Sequence, residues 1–271
     1  VSVTKNQSQV NLTFIEHQDM VTDMEKHGFI KIAPSILAGD FGHLAQEAKR
    51  AEDAGADSLH LDVMDGHFVP NLTIGPQIVA AINRATDLFL DVHLMIYRPF
   101  DYIERFVEAG ADNITFHLEA TEDVEETLSY IRKCNIRAGL AFNPKTSLSM
   151  IPRYLNKCDV ILLMTVDPGF GGQSLIKSVL DKVKFVRDVC DQLNIRAGGI
   201  TMKSNPSLHS ALPPIEPFDI QVDGGINQKN VRFCVEAGAN IIVAGTSLYR
   251  APDMRIAIQE LREAAEKSHD N

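Results

Sequence analysis

Three short segments hold most of the side chains able to do chemistry: LHLDVM at 59–64, DVHLM at 91–95 and QVDGG at 221–225. Side chains of a strand alternate between its two faces. His60, Asp62 and Met64 therefore share one face, and Leu59, Leu61 and Val63 the other. Asp91, His93 and Met95 repeat the pattern, and Gln221 and Asp223 share a face just before two glycines. If the apolar faces pack under helices, the polar ones turn into an enclosed interior. An imidazole beside a carboxylate is costly there unless the two hold each other or a metal. Two imidazoles and two carboxylates, His60, Asp62, His93 and Asp223, suit one divalent transition metal such as Zn²⁺, Fe²⁺, Mn²⁺ or Co²⁺, and the ligand set does not choose among them. A lone buried histidine is more often a satisfied core residue, but four groups at matching strand positions favour a shared site. His117, with Thr115 its only polar neighbour on that face, reads as structural.

Asp62 and Asp223 come from strands far apart in the chain. Two carboxylates facing each other across a substrate suit proton removal on one face and proton return on the other. A metal touching both lowers the cost of the oxyanion formed between the steps. That is what epimerisation next to a carbonyl requires. The turns DPGFGGQ, DGGI and AGTS add a second signal, because glycines let main-chain N–H groups and helix N-termini approach an anion. Glycines that merely make tight turns are the plainer reading, and three such turns in succession favour a phosphate cradle. Met64, Met95 and Met164 end strands at the same mouth, where core packing and a water-excluding cap are both open.

The elements that must position these groups follow from periodicity. Strands are predicted at Ile30–Ile36, Ser58–Val63, Phe89–Met95, Asn113–His117, Arg137–Phe142, Val160–Met164, Ile220–Asp223 and Ile241–Ala244. Between them, helices are predicted at Phe41–Ala54, Ile78–Asn83, Pro99–Ala109, Val124–Lys133, Leu148–Leu155, Ser174–Leu193 and Gln228–Ala237. Strands each followed by a helix, over about 240 residues from Phe29, predict an α/β fold: a single (β/α)₈ barrel, of ~250 residues typically. EDAGADSLHLDV, VEAGADNITFHLE and VEAGANIIVAGT echo one another as helix, glycine, strand, with Gly55, Gly110 and Gly238 past the helix ends. Active sites of such barrels lie at the C-terminal ends of the strands, where His60, Asp62, His93 and Asp223 can meet. Residues 1–29 read as an N-terminal extension, ordered or not, and 30–271 as the catalytic barrel. The Pro-rich segment 197–218 reads as a long surface loop at the opposite, N-terminal face.

A net charge of −10 with no Lys/Arg run argues against a nucleic-acid partner. It leaves room for one small phosphorylated substrate held by main-chain amides. Cys134, Cys158, Cys190 and Cys234 are widely spaced, as expected of free thiols in a reducing compartment. No apolar run reaches transmembrane length, so no membrane partner is expected. The expected location is the cytoplasm, or an organelle if the N-terminal extension is a targeting remnant. The start at Val1 fits a processed form or a fragment.

APSILAGDF, HLDVMDGHFVPNLTIGP, DVHLM, MTVDPGFGGQ, VDGGI and VAGTS together resemble the ribulose-phosphate 3-epimerases, from Ile32 to about Ala265. The resemblance implies a barrel of the ribulose-phosphate binding type. It would interconvert D-ribulose 5-phosphate and D-xylulose 5-phosphate through a cis-enediolate, with one divalent metal ion per subunit, in the pentose phosphate pathway. It implies His60, Asp62, His93 and Asp223 as metal ligands, and Asp62 and Asp223 as the acid/base pair. Ser35, His93, Met64, Met95 and Met164 would contact substrate, and Gly171, Gly172, Gly224, Gly225, Gly245 and Thr246 would hold its phosphate. A homo-oligomer is expected as well. Thr246 stands where a serine is common in the family and keeps the hydroxyl. The alternatives are a 3-epimerase of a six-carbon ketose phosphate, such as allulose 6-phosphate, and a catalytically silent phosphosugar-binding barrel.

Overall fold

Short runs of Val, Ile, Leu and Phe pair side by side as parallel strands. They are β1 (Lys31–Pro34), β2 (Ser58–Met64), β3 (Phe89–Met95), β4 (Asn113–His117), β5 (Arg137–Phe142), β6 (Val160–Met164), β9 (Asp219–Asp223) and β10 (Ile241–Ala244). The intervening β7 (Ile195–Arg196) and β8 (Ile200–Thr201) form a separate antiparallel pair. The computed structural model describes residues 29–201 and 216–267. Most of the expected N-terminal extension and of the expected loop, 1–28 and 202–215, lies outside the described residues. What is described of that loop is not structureless, since β8 returns on β7 and Arg196 bridges Pro217.

The eight parallel strands run in the order β1-β10-β9-β6-β5-β4-β3-β2. A parallel bridge from Ser35 to His60 brings the two edges together, so the sheet is a nearly closed barrel. Around it lie α1 (Leu44–Asp53), α2 (Pro76–Asn83), α3 (Ile103–Glu108), α4 (Val124–Lys133), α5 (Leu180–Gln192), α6 (Val231–Glu236), α7 (Thr246–Tyr249) and α8 (Met254–Glu266). The outward faces of the strands and the inward faces of the helices make one continuous apolar core. Leu59, Leu61 and Val63 of β2 belong to it, together with Ala48 and Ala51 of α1 and Val79 and Ile82 of α2. The alternation predicted for β2 is thus realised.

Some boundaries differ from expectation. The helix predicted at Leu148–Leu155 is two 3₁₀ turns, Leu148–Met150 and Pro152–Tyr154. Pro152 has no N–H for a helical ladder and its ring clashes with the preceding turn. The β5–β6 crossover therefore carries no α-helix. The helix predicted from Ser174 begins at Leu180, because Ile176 N donates to Thr165 O at 2.7 Å and holds the segment before it extended. The first strand stops at Pro34, where Ile36–Ala38 turns as 3₁₀ and Gly39 N donates back to Ile36 O. Gly55, Gly110 and Gly238 take φ of 88°, 95° and 112°, the left-handed exit predicted for the repeated helix–strand junctions.

Candidate active site at the C-terminal mouth

Register fixes the neighbours. In the β2–β3 pair, His60 stands beside Asp91 and Asp62 beside His93; in the β6–β9 pair, Met164 stands beside Asp223. All six side chains follow the inward face. One ligand atom each from His60, Asp62, His93 and Asp223 falls within 4.8 Å of the others. Nε2 of His60 lies 3.3 Å from Asp62 Oδ1 and 3.3 Å from His93 Nδ1, and His93 Nδ1 lies 3.1 Å from Asp62 Oδ1.

Hydrogen bonds behind the cluster decide where the protons sit. Nδ1–H of His60 donates to Asp91 Oδ2 at 2.7 Å. Asp91 is itself gripped by Asn113 Nδ2 and Gln221 Nε2, each at 2.6 Å. A neutral His60 with its proton on Nδ1 turns a bare Nε2 into the cluster. Asp62 receives the Ser35 hydroxyl on Oδ2 at 2.7 Å, which leaves Oδ1 for the cluster. Nitrogen lone pairs and carboxylate oxygens thus converge, and acceptors facing one another at these distances call for a cation. The donor set, two imidazoles and two carboxylates with a carboxylate behind one imidazole, fits a divalent transition ion.

The electrostatics express the same demand. Burial disfavours a charged His60, yet the Asp62 and Asp91 carboxylates hold its pKa well above the ordinary imidazole value. Burial would also raise Asp62, but His60 and His93 outweigh it and hold Asp62 below the usual carboxylate range. Asp223 goes the other way: burial, and then the Asp62 charge, push it up to about 7. Burial lowers His93 to about 4 against the pull of Asp62. Two carboxylates at one mouth thus have opposite proton preferences.

Above the cluster opens a cavity of about 700 Å³. Asp62, Asp223 and Ser35 are on its wall, as are Met64, Met95, Met164, Gly171, Gly172, Gly224, Gly225, Gly245 and Thr246. The cavity's lining does not include His60 or His93, which are fully buried behind Asp62. The methionines serve both readings open in the sequence, since they line the cavity while Met64 and Met95 pack with Val69 and Met164 packs with Leu162 and Val166. Gly225 joins two glycine-rich turns. It sits at φ 69°, and a Cβ there would come within 2.5 Å of Leu175 N and 2.6 Å of Gln173 O.

Some residues at the site escaped the sequence reading. Asp91 and Gln221 were on the right face by period but had no role; the structure makes them the support of His60. His117, read as structural, reaches His93 with Nε2 atoms 2.9 Å apart. Arg250, after α7, is the one cationic side chain on the cavity wall among the described residues, and nothing in strand periodicity marks it. The four cysteines are free thiols, as expected. No described helix is long and apolar enough to cross a membrane.

Fold and side chains define a (β/α)₈ barrel with a His₂Asp₂ cluster at the C-terminal ends of its strands. Comparison with known proteins narrows this class. A sequence model of the ribulose-phosphate 3 epimerase family matches residues 31–212 and 207–249. The chain is 46% identical to a ribulose-phosphate 3-epimerase of Chlamydia pneumoniae over 231 residues, 85% of this chain and 93% of the relative. It is 43% identical to that of Escherichia coli K12 over 244 residues, 88% of this chain and 98% of the relative. Among solved structures, orotidine 5'-phosphate decarboxylase from Pyrococcus horikoshii superposes with a TM-score of 0.57 at 13% identity, covering 88% of this chain and all of the other, a likeness of fold alone. The chain belongs to the ribulose-phosphate 3-epimerase family and is an isomerase.

Proposed function

We propose that this chain interconverts D-ribulose 5-phosphate and D-xylulose 5-phosphate by moving the C3 proton from one face of the sugar to the other. The observation that carries the reading is the pair Asp62 and Asp223, which both line one cavity and both offer an oxygen to one cluster of ligand atoms. In the metal-free site the histidines hold Asp62 low while burial raises Asp223 to about 7, and either carboxylate can take a proton or, once protonated, return it. One carboxylate takes the C3 proton from one face, the other carboxyl returns a proton to the opposite face, and microscopic reversibility exchanges the roles for the opposite direction. His60, Asp62, His93 and Asp223 would hold one divalent ion, Zn²⁺ first among those the donors suit. When bound, such an ion supplies Lewis-acid stabilisation of negative charge on the substrate's oxygens.

Ser35 orients Asp62 by donating to the oxygen turned away from the histidines. Met64, Met95 and Met164 present thioethers to the reacting carbons and exclude water, which protects an enediolate from stray protonation. The turns carrying Gly171, Gly172, Gly224, Gly225, Gly245 and Thr246 would bind the phosphate through main-chain N–H groups. The test is C3 exchange of ribulose 5-phosphate in deuterated solvent, followed by NMR on metal-loaded and chelator-treated protein. Metal-dependent deuterium uptake with xylulose 5-phosphate formation supports the reading. No uptake in either state overturns it, and the six-carbon ketose phosphate is then the next substrate to try.

A further inference from the structure

The two ligand histidines are anchored differently. His60 hands its outer N–H directly to a carboxylate, Asp91. His93 instead meets a second imidazole, its Nε2 lying 2.9 Å from Nε2 of His117, with the rings stacked at 27° and centroids 5.0 Å apart. Nδ1 of His117 lies 3.3 Å from Glu119 Oε2. Glu119 is fixed in turn, accepting from Asn143 N at 3.0 Å and from the Thr146 hydroxyl.

A carboxylate can only accept, so a neutral His117 carries its proton on Nδ1 and presents a bare Nε2 to His93. Two bare nitrogens would repel at 2.9 Å, so His93 carries its proton on Nε2. Its Nδ1 lone pair is then the one turned toward Asp62 and His60, at 3.1 and 3.3 Å. We propose that His117, backed by Glu119, is a positioning residue that sets the tautomer and ring orientation of His93 for metal binding. This rests on the reading of His93 as a ligand. His117 and His93 are both fully buried, so no solvent competes for the bond between the two rings. The Glu119–Thr146 contact couples the loop after β4 to the loop after β5, which extends the support of one ligand across two turns of the mouth.

Two measurements test the proposal. The first is ¹⁵N NMR of the histidine side chains in metal-free wild-type protein, which reports each tautomer. The expected result is Nε2–H on His93 and Nδ1–H on His117; Nδ1–H on His93 overturns the proposal without any variant having to fold. The second is Zn²⁺ affinity by chelator competition for His117→Leu, which removes the acceptor, and His117→Gln, which keeps one. We expect His117→Leu to weaken binding by roughly 10- to 100-fold and His117→Gln to restore most of it. Equal affinity in His117→Leu and wild type overturns the positioning role. His93→Gln separates the two readings: if it too binds Zn²⁺ as the wild type does, the ligand assignment itself is wrong and the proposal falls with it.

Discussion

The Ser35 hydroxyl donates to Asp62 Oδ2 at 2.7 Å, leaving Oδ1 as the edge turned to His60 and His93 at 3.3 and 3.1 Å. One carboxylate is thereby divided between a fixed donor and the two histidines. A hydrogen bond to the ionised form lowers a carboxyl pKa, so its removal raises that of Asp62. Ser35→Ala should lower kcat/KM by roughly tenfold or more, on the scale of a hydrogen bond to a charged group. The acid limb of the pH–rate profile should move to higher pH. An unchanged limb would mean that Ser35 does not tune Asp62.

Gly225 links the turn after β9 to the turn after β6, with positive φ and backbone where a Cβ would go. Gly225→Ala must displace one turn from the other, and with it the main-chain amides proposed above to bind phosphate. We expect KM for the phosphosugar to rise by roughly tenfold, with a stability loss on the order of 1–3 kcal/mol. Steady-state kinetics and thermal melts read both. A rise in neither would separate this turn from phosphate binding.

Glu119 gives a pH signature in stability. Burial would raise its pKa, but the His117 hydrogen bond, with Thr146 and Asn143 N, holds it at about 2, below the ordinary 4.5. A depressed folded pKa contributes stability that is present above pH 4.5 and lost as pH falls toward 2. Glu119 is itself an exposed residue, so solvent screening reduces its contribution to about 1 kcal/mol at neutral pH. Glu119→Gln in metal-free protein should therefore be less stable than wild type at pH 7, and the gap should close on acidification through this window. A gap that stays constant with pH would assign the effect to packing.

Much of this site was legible because a strand's period of 2 is unforgiving. HLDVM and DVHLM each put a histidine on the polar face, with a carboxylate two residues away, and parallel register then sets Asp62 beside His93. What stayed hidden depends on closure of the barrel. His117 follows Thr115, the register partner of His93, by two residues, and only the curvature between β3 and β4 brings the two imidazoles to 2.9 Å. Arg250 follows a four-residue helix in a turn, where no periodicity assigns a direction. The Leu148–Leu155 segment has helical spacing of apolar residues, and Pro152 inside it decided against a helix.

The central claim is that Asp62 and Asp223 act on opposite faces of one carbon, and the most direct test separates the two half-reactions. Asp62→Asn and Asp223→Asn, each first shown to be folded by circular dichroism, are incubated with each pure epimer in deuterated solvent and followed by NMR. Each variant is predicted to exchange the C3 hydrogen of one epimer only, and to form none of the other, with the two variants showing complementary preferences. Formation of both epimers at the wild-type rate by either variant would contradict the account.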